Sequence, residues 1–257
     1  MVVMTMNDAP PPPSQLPPPM REKPRRVTTF SLMTDVRNWP MWLVVAICVV
    51  VYGAQMLSPD QLQDGFFSAQ AVQDGRWWTM VTAIFMHGSW IHILSNMWAY
   101  LVLSPFVIAR FGQGWKGVVP YHAFFLLCGL AGNAVFWMLH LYGQNPVVGA
   151  SGAIYGVYAA SMRLDLFGEP LIPLWSRRTL DAIWFFIWSN VLVIMLFGGP
   201  ELVLQILKGQ GGNVLIPIAW EAHLGGFIAG FFLIQLMAGR GWKDDWKAGV
   251  VILTRGL

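Results

Sequence analysis

Charge is what this chain of 257 residues has least of. Asp, Glu, Lys and Arg make up 11%, against 56% hydrophobic residues and a mean hydropathy of +0.53. Soluble domains carry about 25% charge, so a soluble globular class is excluded and the bilayer is the expected solvent. Cysteine is scarce too. Cys48 and Cys128 both fall in apolar runs, which excludes a disulfide framework or a zinc cluster. No His-Glu-x-x-His occurs, and His87 and His92 are five apart rather than four, so metalloprotease spacing is absent and no metal or cofactor is expected. The basic residues form no continuous face, which argues against a nucleic-acid partner. Residues 1–30 hold no apolar core segment, so a secretory signal peptide is not expected there.

What the first 30 residues do hold is proline, including Pro10 to Pro13 and Pro17 to Pro19. With little apolar surface to bury, they read as a disordered or polyproline tail. Arg21, Lys23, Arg25 and Arg26 close it as a topology determinant, with lipid or partner binding as the alternative. The expected organisation is a basic Pro-rich tail over 1–37, a six-helix domain over 38–238 and a short tail over 239–257. The fold class is an all-α membrane protein with six transmembrane helices. Apolar runs at 39–57, 90–109, 117–139, 151–166, 180–197 and 214–237 match the ~30 Å hydrocarbon core. The connection 58–88 carries Asp60, Asp64, Asp74, Arg76 and the pair Trp77-Trp78, a mixture suited to lying in the membrane interface. Six crossings put both ends on one side. All basic residues except Arg76 and Lys208 fall on that side, including Arg163, Arg177 and Arg178, so both termini are expected in the cytoplasm. The loop before Ser151 and the segment before His223 then face outward.

Chemistry gathers at Gly149-Ala150-Ser151-Gly152-Ala153-Ile154-Tyr155-Gly156. A serine there reads in two ways: as helix packing among small residues, or as a nucleophile whose base lies on another segment. On the second span His92 and Asn96 share one helix face. Such intramembrane polar groups face the protein interior or a water-filled cavity, and a plain interhelical hydrogen bond is the simpler account. Ser151 and Tyr155 share a face of the fourth span, with Gly152 and Gly156 as a small-xxx-small ridge beside it. Gly226 and Gly230 repeat that spacing after His223. Matching glycine ridges allow the close approach that a Ser–His pair requires. A helix starting at Ser151 would add unpaired amides and a positive dipole end, suited to an oxyanion.

Taken together, His92…Asn96, Gly149-Ala150-Ser151-Gly152 and Ala222-His223-Leu224-Gly225-Gly226 resemble the pattern of rhomboid intramembrane serine proteases over roughly residues 38–238. The resemblance implies a dyad of Ser151 as nucleophile and His223 as base, without a triad carboxylate. It implies an oxyanion hole from Asn96, His92 and the Ser151 amide. Tyr155 would stack on His223, and Gly149 would let the loop backbone lie close to a substrate carbonyl. Two features depart from the pattern. Trp78 is followed by Thr79 where many relatives have Trp-Arg, and Ile108-Ala109-Arg110 stands where many have Glu-x-Arg.

Glu221 sits about 200° around the helix from His223, and so reads as a solvated residue at the outer mouth. His87 reads as a hydrogen-bonding structural residue; His122 and His140 read as interfacial. The function this implies is cleavage of single-span membrane proteins within the lipid bilayer near the outer face, in the bacterial cytoplasmic membrane. The alternative is an inactive rhomboid-like protein that captures membrane clients. A transporter would need polar groups along a whole path and internal repeats, and neither is present.

Overall fold

The computed structural model describes residues 29–58, 62–112, 114–141, 145–164, 171–208 and 219–237. Most of the proline-rich tail, the 239–257 tail and the opening of the expected sixth span lie outside them. Helical structure is present ahead of residue 38. Thr29–Thr34 is helical and Val36–Asn38 forms a single 3-10 turn. Asp35 accepts a hydrogen bond from the Arg37 amide at 2.9 Å and pairs with its guanidinium, and Met33 is buried in the core. The Arg37 hydrogen bond holds the Asp35 carboxyl below its usual range.

Six longer helices follow: α1 (Pro40–Leu57), α2 (Trp90–Phe111), α3 (Trp115–Leu139), α4 (Ser151–Arg163), α5 (Arg177–Leu207) and α6 (Trp220–Met237). Five of them are long and apolar enough to cross a membrane; in α5 the qualifying stretch is Arg177–Leu196. The exception is α4, expected over 151–166 but only 13 residues long. At 1.5 Å per residue it measures about 20 Å, short of the ~30 Å core, so it cannot reach both surfaces. Its C-terminal end is fixed by a side chain. Arg163 donates to the carbonyls of Ile172 at 2.7 Å and Phe231 at 2.9 Å, and to Gln235 at 3.3 Å, and Leu164 is already extended. Arg163, counted above with the basic residues on the side of the termini, is buried inside the bundle. Local signals set the other ends. Pro40 occupies the first turn of α1, and the Ser89 hydroxyl caps α2 by accepting from His92 N–H at 3.2 Å. Gly112 ends α2 at φ +113°, and Gly199 breaks α5 at φ +76°, backbone angles open chiefly to glycine.

The short α4 is the axis of the molecule. Ten of its residues are buried, while large side chains such as Trp42, Val50, Trp98, Trp184 and Phe232 are exposed on the surrounding helices, as lipid-facing surface requires. Beside α4, Tyr100, Tyr121, Phe124 and Phe125 fill a fully buried core. Against α6, α4 packs backbone to backbone. A Cβ at Gly226 would land on the carbonyl oxygen of Gly152, and one at Gly230 on that of Gly156. Both pairs have the same offset in sequence, so the two helices run parallel with their starts side by side.

The 62–88 connection is broken into short pieces, Ala69–Gln73, Thr79–Thr82 and the 3-10 turn Ala83–Phe85, none able to cross. It is tied to the bundle by Asn133 donating to Met80 O at 2.7 Å and by paired Phe67 and Val147 backbones. Arg76 bonds Asp64 at 3.3 Å and Asp74 at 3.4 Å.

Candidate active site

Two helix starts, brought level by the glycine seam, set the distance that matters here. Ser151 is the first residue of α4 and His223 lies in the first turn of α6. Ser151 Oγ and His223 Nε2 are 2.8 Å apart across 72 residues of sequence. The Tyr155 ring lies 4.5 Å from the His223 ring, tilted by 31°, close enough to restrict its rotation. On its other side, His223 Nδ1 is 2.6 Å from Asn190 Oδ1 of α5. His223, Asn190 and Asn96 are all buried. A hydroxyl so placed can give its proton to the imidazole as it attacks an electrophile.

Donors converge on the neighbouring turn. Gly149 holds φ +125°, and a Cβ built there would lie 2.7 Å from His92 Nε2 and 3.4 Å from Asn96 Nδ2. Both the backbone angle and the space therefore require glycine. Its N–H donates to Ala83 O at 2.9 Å, which anchors the turn to the 62–88 connection. Asn96 Nδ2 is buried and makes no hydrogen bond to any of the described residues. Buried amide donors are normally paired, so this one is available to a ligand atom. Gly88 N–H lies 3.5 Å from His92 Nδ1; with Nδ1 as acceptor, Nε2 carries a proton. The first amides of α4 have no partner inside their own helix. Asn96, His92 and the start of α4 thus surround one small region beside Ser151.

A family model, the Rhomboid domain, matches residues 74–240, well over half of the chain. The chain belongs to the rhomboid family. It is 27% identical over 169 residues to RHOMBOID-like protein 5 of Arabidopsis thaliana, covering 66% of this chain and 47% of that protein. Against Rhomboid-like protein 11, chloroplastic, of the same plant it is 25% identical over 195 residues, 69% of this chain and 61% of the relative. Rhomboid protease GluP of Bacillus subtilis aligns at 26% identity over 219 residues, 83% of this chain and 38% of GluP. The chain spans about half the length of such relatives. Family and helices together make it an integral multi-pass membrane protein, in a family that includes intramembrane proteases.

Every residue expected at the site lies among the described residues. His223 contacts both Ser151 and Tyr155. Gly149 lies against His92 and Asn96, Gly152 against Gly226, and Gly230 against Gly156. One expectation needs correcting. Glu221 is not solvated but buried, with Oε1 3.0 Å from His140 Nε2, because the 200° turn that carries it away from His223 points it at α3. His87 is buried and hydrogen-bonded through its backbone. The Gln55 amide donates to His87 O at 3.2 Å and accepts from His87 N–H at 3.1 Å. Sequence reasoning missed Asn190 and Ser189, whose Oγ lies 2.9 Å from the Tyr155 hydroxyl. The available signal was an amide in an apolar span, which normally faces the protein interior.

Proposed function

We propose that this rhomboid is an intramembrane serine endopeptidase that cleaves single-span membrane proteins near the outer face of the membrane. The observation that carries this reading is the 2.8 Å approach of Ser151 Oγ to His223 Nε2. Ser151 Oγ forms a bond to the scissile carbonyl carbon as its proton passes to His223 Nε2. The resulting oxyanion takes hydrogen bonds from Asn96 Nδ2, His92 Nε2–H and the Ser151 amide. When the C–N bond breaks, His223 returns the proton to the leaving amine, and water releases the acyl group by the same route. Tyr155 keeps the imidazole in plane, and Gly149 admits the substrate backbone. A substrate helix must unwind locally to offer a peptide carbonyl, so helix-weakening residues near the cut favour cleavage.

The topology that serves this chemistry has both termini in the cytoplasm of a bacterial cell and the helix starts at Ser151 and His223 toward the outside. In liposomes holding the protein and a single-span substrate, Ser151→Ala and His223→Ala are each expected to lower cleavage by about 10⁴-fold. Labelling by a fluorophosphonate should require Ser151. Undiminished cleavage by either variant ends the assignment. Binding of substrate without cleavage or labelling by the unaltered protein would point to a client-capturing relative instead.

A further inference from the structure

We propose that Asn190, on α5, is a positioning residue that fixes the tautomer of His223. The proposal rests on the serine-protease reading above. Its argument starts one helical turn away, at the Phe186 carbonyl. Asn190 Nδ2 donates to Phe186 O at 2.8 Å. A carbonyl only accepts, so the nitrogen end of the amide faces it and the oxygen end faces His223. Asn190 Oδ1 sits 2.6 Å from His223 Nδ1 and has no proton to give. Nδ1 must therefore carry the hydrogen. In a neutral imidazole this leaves Nε2 with its lone pair, directed at the Ser151 hydroxyl 2.8 Å away. Turned about, with Nδ2 toward the ring, the amide would set its oxygen against the Phe186 carbonyl, acceptor against acceptor. The chain Phe186 O, Asn190, His223, Ser151 thus allows one arrangement of protons, the one in which the imidazole can accept.

Other neighbours of the ring do not perform this task. Tyr155 lies tilted against it and turns its hydroxyl to Ser189, whose own hydroxyl donates to the same Phe186 carbonyl at 3.0 Å. Glu221 is engaged by His140. His92, the remaining ionisable group nearby, lies beside Gly149. An acceptor for Nδ1 thus comes from α5 alone among the described residues, and it is a neutral amide where soluble serine proteases use a carboxylate.

Nitrogen-15 NMR of histidine-labelled protein in micelles should report His223 with Nδ1 protonated and Nε2 bare. In Asn190→Ala and Asn190→Leu that signature should give way to a mixture of tautomers, and kcat should fall by about 10- to 100-fold with little change in KM. Asn190→Asp keeps the acceptor and should recover at least about 10-fold over Asn190→Ala. Melting curves identify any variant that does not fold. The wild-type spectrum needs no variant at all, and an Nε2-protonated His223 there would overturn the proposal. So would wild-type kcat in folded Asn190→Ala. If Ser151→Ala is inactive while Asn190→Ala is unimpaired, only this proposal fails. Activity surviving in Ser151→Ala instead removes the reading on which it stands.

Discussion

Helices α5 and α6 both touch α4, and they are held by opposite means. α6 is held chiefly by absence: where its backbone comes closest to those of α4 and α3 it carries glycines, and any Cβ at Gly225, Gly226 or Gly230 would collide with a backbone carbonyl. α5 is held by presence. Phe186 and Ala182 join an aromatic cluster with Tyr158, Phe227 and Phe231, and Ser189 and Asn190 bond Tyr155 and His223. Its other face, with Trp184, Trp188 and Leu192, is exposed. In lipid, burying apolar side chains gives no net drive for helices to associate, so van der Waals fit and polar bonds must do it. The glycine seam sets the serine-to-histidine distance, whereas the polar bonds from α5 set the orientation of what the seam brings together.

The contrast can be broken from either side. The largest effect is expected at the seam: Gly226→Leu drives a side chain into the Gly152 carbonyl and should cost about 3 kcal/mol or more, seen as lost monodisperse protein and lost fluorophosphonate labelling. A normal melt for this variant would show that the seam is not what holds α4 and α6 together. Gly149→Ala attacks the donor cluster and leaves the seam alone. Its Cβ would press on His92 Nε2 from a backbone angle foreign to alanine, so cleavage should fall by about 100-fold while folding changes by about 1–2 kcal/mol. Equal losses in folding and cleavage would make Gly149 a stability residue only.

A third test uses pH. Burial, with His92 nearby, pushes the His87 imidazole down to about 4 from its ordinary 6.5. The unfolded chain gains this proton below about pH 6.5, and the folded protein only near 4. Stability from this group is therefore complete above 6.5 and lost as the pH falls toward 4, by about 3 kcal/mol. Melting temperatures from pH 7 to 4.5 should decline more steeply in wild type than in His87→Gln; equal slopes would remove His87 as the cause. The smallest change belongs to α5. Ser189→Ala deletes one hydrogen bond to Tyr155 and should cost less than about 1 kcal/mol, with cleavage lowered only a few-fold.

Much of this was legible in the residues. The four ridge glycines could be read from fixed spacings of small residues in apolar runs, whereas the roles of Ser151, His223 and Gly149 came with the resemblance to the rhomboid pattern. The short α4 was not legible. Its end depends on Arg163 reaching Ile172, Phe231 and Gln235, and in the sequence that arginine looks like any loop charge. Glu221 and His140 are 81 residues apart, and no periodicity links them. Asn190 was a lone amide in an apolar run, with nothing to show that its oxygen would meet a histidine 33 residues on.

The sequence by itself determined the solvent, the helices and the small residues that let them approach, because hydropathy and glycine spacing act along one helix at a time. The tertiary structure alone decided which atom of which polar side chain meets which. A hydrogen bond depends on ångström distances between helices whose rotation is fixed only when all of them are packed.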